Sequence, residues 1–123
     1  MKKYELTNET IEINDYVLHR IKALVDFVDV KAGDFGGFIE KESNLSHDGY
    51  AWVYDNACVY GDARVSGNAC ILDNAKVFDD AHIFDDAWVY GHAKVCGNAN
   101  VSGESNIYGN ALVNNDVCSM NIE

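Results

Sequence analysis

From Ala51 onward the chain repeats every six residues, beginning A-W-V-Y-D-N, A-C-V-Y-G-D, A-R-V-S-G-N and continuing through eleven hexads in register over residues 51–116. In each hexad a small residue and an aliphatic residue stand two apart, so both point to the same side of an extended strand. The closing pair is drawn from Gly, Asp, Asn, His and Glu, turn formers that tolerate positive φ. Each hexad therefore reads as a short strand and a corner. A strand this short cannot bury its aliphatic residue alone, so successive hexads must coil and stack about 4.8 Å apart. The expected fold is a β-solenoid with the aliphatic positions from Val53 to Val113 along its axis. A β-sandwich has no fixed period of six and does not account for the pattern.

The order aliphatic, three variable residues, small, variable resembles the hexapeptide-repeat family over more than half of the chain. That resemblance implies an all-β fold, a left-handed parallel β-helix of triangular section with eighteen residues per coil. Residues 1–44 are expected to form a small N-terminal β cap and a lead-in segment, and residues 45–123 the helix itself. Tyr4–Leu6 and Ile11–Ile13 around Thr7-Asn8-Glu9 predict a hairpin, Tyr16–Phe27 a third strand, Gly33–Phe38 a turn and Ile39–Asn44 an irregular first hexad. The lead-in, Ala23-Leu24-x-Asp26-Phe27 followed by the run from Lys31 to Ser46, resembles that of small β-helix proteins from phages and prophages. At the other end Ser119 stands where an aliphatic residue belongs, so the last coil is expected to decay.

Charge narrows the function classes. Twenty acidic residues against nine Lys and Arg give a net charge of -11, which leaves no phosphate-neutralising surface for duplex nucleic acid. No apolar run approaches the ~20 residues that cross a bilayer, so no membrane partner is expected. Met1-Lys2-Lys3 leads into polar Tyr4, Glu5 and Thr7 rather than an apolar stretch, which points to a cytoplasmic protein, in the host cell if phage-encoded. Cys58, Cys70, Cys96 and Cys118 contain no C-x-x-C pair and read as free thiols. The pairs Asp79-Asp80 and Asp85-Asp86 fall on different corners, more than ~10 Å apart at ~3.3 Å per strand residue, too far for one metal ion. They read as turn formers, and no metal or cofactor is expected.

With eighteen residues per coil, the residues flanking each aliphatic position form columns on three faces. Face one carries Trp52/Tyr54, Cys70/Leu72, Trp88/Tyr90 and Asn106/Tyr108. Its aromatic wall of Trp52, Tyr54, Leu72, Trp88, Tyr90 and Tyr108 marks an interface, and the resemblance implies a homotrimer packed through it. Face two carries Cys58/Tyr60, Lys76/Phe78, Lys94/Cys96 and Leu112/Asn114. Lys76 and Lys94 are one coil apart there, a like-charge arrangement that an anion would relieve, and Phe78 offers a ring for base stacking. Face three places Arg64 beside His82, with Phe84 adjacent, as a second ligand-binding candidate. Corner acids offer the competing partners for all these cations.

Acyltransferases of the hexapeptide type resemble this chain in the coil alone; they use a His from a turn or loop, and His92 is the residue here in that role. No carboxylate near it in sequence orients it. Carbonic-anhydrase-like members need three His around zinc, and His82 and His92 lie ten apart on different sides. Ice binding needs ranks of Thr that the coil lacks. The sequence therefore points to a non-catalytic homotrimer whose inter-subunit clefts bind a small anionic ligand, and the phage-type resemblance implies sequestration of a nucleotide immune signal. An acyltransferase using His92, and a purely structural scaffold, are the alternatives.

Overall fold

The computed structural model describes residues 2–123, which are nearly all β apart from a single 3-10 turn at Glu42–Asn44. From Trp52 onward, strands of two or three residues stack in parallel on three faces. Trp52 pairs with Cys70, Cys70 with Trp88, and Trp88 with Asn106. Cys58, Lys76, Lys94 and Leu112 form a second file, and Arg64, His82 and Asn100 a third. Partners are eighteen residues apart, so three hexads close one coil, and five rungs stack on the Trp52 face. Among the described residues no helix is long and apolar enough to cross a membrane.

The repeat dictates this packing directly. The small residue and the aliphatic residue of each hexad both point to the axis, and from Ala51 to Val101 all of them are at most 1% exposed. Ala supplies the small residue in ten of the eleven hexads. Where Ser105 replaces Ala, its hydroxyl donates to the Ser102 carbonyl at 2.8 Å, because a buried hydroxyl without a partner is costly.

Corners use a device the hexads only hint at. Asp55, Asp73, Asp79 and Asp85 adopt positive φ between 55° and 60°, and glycines take the same role at the corners from Gly61 to Gly67 and from Gly91 to Gly109. Each of these aspartates accepts a backbone N–H one coil above: Asp73 from Gly91, Asp79 from Gly97 and Asp85 from Gly103, all at 3.0 Å, and Asp55 from Asp73 at 3.3 Å. The acidic pairs are thus turn formers, as expected, and also ties between coils.

The N-terminal cap departs from the sequence expectation in two places. β1 (Tyr4–Ile13) runs through Thr7-Asn8-Glu9, which forms only a register shift in its pairing with β2 (Tyr16–Ala23). The turn lies instead at Asn14-Asp15, both at positive φ, the conformation a tight right-twisted hairpin requires. Gly33–Phe38 is not one turn either. β3 (Phe35–Ile39) pairs antiparallel with β2 and parallel with Cys58–Val59, so the hairpin and one solenoid face form a single seven-stranded sheet. Gly36 and Gly37 permit that join: a Cβ at either would come within 2.5 Å of the Val53 or Ala57 carbonyl oxygen.

Ile39 and Leu45 take the inward positions beneath Val59 and Val65. Buried Asn44 stands in for part of a missing rung, donating to the Gly61 and Ala63 carbonyls and accepting from the Glu40 and Lys41 amides. Lys3 is only 4% exposed and donates to the Ala51 carbonyl at 2.6 Å; burial pulls its pKa down to about 8. At the other end the coil tightens rather than decaying at Ser119. Val117 pairs with Val101 and Ile122 with Ile107, while Ser119 forms a corner at φ 51°.

The corner ties are testable. Asp73→Ala removes the bond to Gly91 and leaves a Cβ residue at positive φ, so chemical denaturation should show a loss of about 1–3 kcal/mol. Asp73→Gly should lose less, since it relieves the backbone term. Equal losses in the two variants would contradict this account.

Candidate functional site

A concavity of about 870 Å³ lies where a corner meets the face of the seven-stranded sheet. One wall is the corner column Asn56, Asn74, His92 and Asn110, and the other is the strand column Lys76, Lys94 and Leu112, with Ala111 between them. The corner residues stand one above another because their amides bond upward in turn: Asn56 to the Asp73 carbonyl, Asn74 to Gly91 and His92 to Gly109. Lys76 and Lys94 are direct partners in the parallel ladder, so two ammonium groups emerge one rung apart, a juxtaposition that is unfavourable without an anion.

No corner acid relieves it. Among the described residues neither lysine forms an ion pair; the pairs that exist are Lys2–Glu42, Arg20–Glu9, Lys41–Asp62 and His47–Glu42. The groove itself contains no carboxylate, whereas the concavities around Arg64, around Gly91 and around Asn114 each include at least one Asp. His92 therefore sits beside the lysines rather than alone, which its corner position did not reveal. Asp55 and Asp73 border it on the outer side of the corner, but the Asp73 carboxylate is engaged by the Gly91 amide. No described side chain hydrogen-bonds the His92 ring.

The ligand-binding residues expected from sequence divide between two faces. Lys76 and Lys94 pair in one sheet, with Phe78 just past the end of the Lys76 strand, while Arg64 and His82 belong to another. On that second face the Ser66 hydroxyl lies 3.1 Å from His82 Nε2 and the His82 and Phe84 rings are 4.7 Å apart. Burial, reinforced by the Arg64 guanidinium, holds the His82 pKa below its usual value. Asp62 and Asp80 share this groove, so its charge is mixed.

The aromatic wall is shorter than the columns suggest. Trp52, expected at a subunit interface, is 1% exposed and lies beneath the cap, edge-on to Tyr4 and Phe27. The cap residues that cover it are far away in sequence, which is why column arithmetic left it outside. Tyr54 is half-buried and donates to Asp29 at 3.0 Å. Leu72, Trp88, Tyr90 and Tyr108 stay at the surface; Trp88 is 45% exposed, and Tyr90 and Tyr108 stack at 5.4 Å. Sequence reasoning also missed Asn56, Asn74 and Asn110. The eighteen-residue spacing contains them, but only when it is applied to corners as well as faces.

The chain is similar to the uncharacterized acetyltransferase YdcK of Escherichia coli (strain K12), with 36% identity over 63 residues, 45% of this chain and 19% of that protein. The six-residue period and the eighteen-residue ladder fix the fold independently of that match. The chain is a β-solenoid built of six-residue repeats. It spans less than a fifth of the length of that relative, and no family model matches it.

All four cysteines of the solenoid are free. Burial raises the thiol pKa of Cys70 and Cys96, and pushes that of Cys58 up to about 11. None of these three is thereby activated as a nucleophile. Between about pH 9 and 11 the unfolded chain gives up the Cys58 proton while the folded one keeps it, so folding stability falls as pH rises through that window. Lys3 acts with the opposite sign, because its lowered pKa leaves the unfolded chain with more bound protons above about pH 8. Comparing wild type with Cys58→Ala isolates the thiol: denaturation midpoints should show a shallower alkaline decline in the variant, and parallel curves would refute the assignment.

Proposed function

We propose that the protein is a non-catalytic binding protein that holds a small anionic ligand in the groove of Lys76, Lys94 and His92. The observation that carries this reading is the unpaired lysine ladder in a groove without a carboxylate, on a chain of net charge -11. An anion between the lysines removes their repulsion, and the Asn56, Asn74 and Asn110 carboxamides offer donors along the same line. The overall charge opposes anions at long range, so affinity comes from close contacts and falls as salt rises. Sequestration of a phosphorylated signal, as the phage-type resemblance implies, is the finer form of this function. A rigid coil loses little entropy on binding, which favours tight capture without chemistry.

Exposed Trp88, with half-buried Leu72, Tyr90 and Tyr108 around it, supports a homotrimer packed through this face. Light scattering should then give three times the 13.6 kDa protomer mass, reduced in Trp88→Lys, which places a charge in an apolar contact. A monomeric wild type at micromolar concentration would sink the trimer.

Acyl transfer is the second reading, favoured by the similarity to a protein named an acetyltransferase and by His92 standing in the same groove. His92 would then take a proton from the acceptor as it attacks the thioester carbonyl of acetyl-CoA and return it to the thiolate released when the C–S bond breaks. The absence of an orienting partner on its ring weighs against this role.

Calorimetry with inorganic pyrophosphate tests the binding reading. Wild type should bind it at low salt, and Lys76→Glu with Lys94→Glu should weaken binding by ~10-fold or more. Unchanged binding in the double variant, or none in wild type, overturns the groove. Turnover of acetyl-CoA that disappears in His92→Ala would establish the enzyme instead.

A further inference from the structure

Beside the lysines an aromatic stack climbs the same sheet and stops. The Tyr16 ring of β2 lies 5.2 Å from Tyr60, and Tyr60 stacks on Phe78 at 5.3 Å with the planes 8° apart. The residue one rung above Phe78 in this column is Cys96, followed by Asn114. No further ring of the described residues stacks on Phe78. The ladder is thus aromatic for three steps and ends in a short side chain, leaving Phe78 with a ring on one face only.

Lys76 and Phe78 flank inward-facing Val77, as Lys94 and Cys96 flank Val95 one rung above; Phe78 and Cys96 stand just past the strand ends, where their amides still bond to the next coil at the Val95 and Val113 carbonyls. Alternate strand residues are about 7 Å apart, a span that a ribose bridges. Charge sets a direction along that span. The Lys76 side opens into the groove without carboxylates, whereas the corner beyond Phe78 carries Asp79 and Asp80. A ligand with a negative end and an uncharged flat end is accepted in one orientation only.

We infer that the ligand is a nucleotide, its phosphates on Lys76 and Lys94 and its base stacked on Phe78 in the space beside Cys96. This rests on the anion-binding reading of the groove and assigns the class of molecule that occupies it. The base continues the Tyr16, Tyr60, Phe78 series by one member, since any base presents a π-face to an aromatic ring.

The test compares inorganic pyrophosphate with ADP by calorimetry on the full chain. ADP should bind about 5- to 150-fold more tightly, the range that one base–aromatic stack supplies. Cys96→Phe extends the protein's own ladder into the space for the base and should abolish that advantage; Phe78→Ala should do the same by removing the platform. Circular dichroism of each variant verifies the fold. Failure of pyrophosphate to bind overturns the groove and this inference together. Pyrophosphate binding with ADP no tighter overturns the base site alone. An ADP advantage that survives both substitutions shows that the base lies elsewhere and overturns its assignment to Phe78.

Discussion

Every part of this molecule depends on the amide ladder that joins each coil to the one eighteen residues later. It sets like above like: Ala over Ala, Val over Ile, Asp corner over Gly corner. A parallel ladder of two-residue strands is weak rung by rung, so it persists only because each rung also buries an aliphatic side chain and closes its corners with positive-φ residues. Loss of register in one hexad would turn an aliphatic residue outward and a polar residue inward. The Asp-to-amide bonds at the corners oppose that slip, because each one links a side chain to a fixed partner in the next coil.

The solenoid was legible in the sequence because its information is local and repeated. Val53 to Val113 and their small partners specify strand, face and axis without reference to anything distant. The cap was less legible for the opposite reason. Nothing near Thr7-Asn8-Glu9 distinguishes a hairpin turn from a bulge, and the outcome was decided by Asn14-Asp15 and by the pairing of β2 with β3. The burial of Trp52 depends on Tyr4 and Phe27, contacts that no period announces. The candidate site was half legible. The pairing of Lys76 with Lys94 follows from spacing alone, whereas the convergence of His92 and the asparagines on those lysines depends on how the corner folds toward the face.

Acidity takes on a different meaning in this light. A net charge of -11 suggests a surface that repels anions everywhere, yet several of the acids are spent on backbone amides at corners. The carboxylates are therefore distributed by the needs of the turn, and at one corner Asn and His line the groove while Asp55 and Asp73 border its outer side. Electrostatic contrast within the molecule, rather than its total charge, distinguishes that groove.

The outward positions of the coil carry one further implication. Since each rung presents the same backbone geometry, an outward side chain is nearly independent of the fold beneath it. The lysine pair occupies two adjacent rungs, and Leu112 occupies the next position of that column. A site built in this way can migrate along the axis by exchange of single residues, or be duplicated by adding one coil, without rebuilding a core. Such a scaffold resembles a pegboard, on which recognition evolves by moving pegs while the board stays the same.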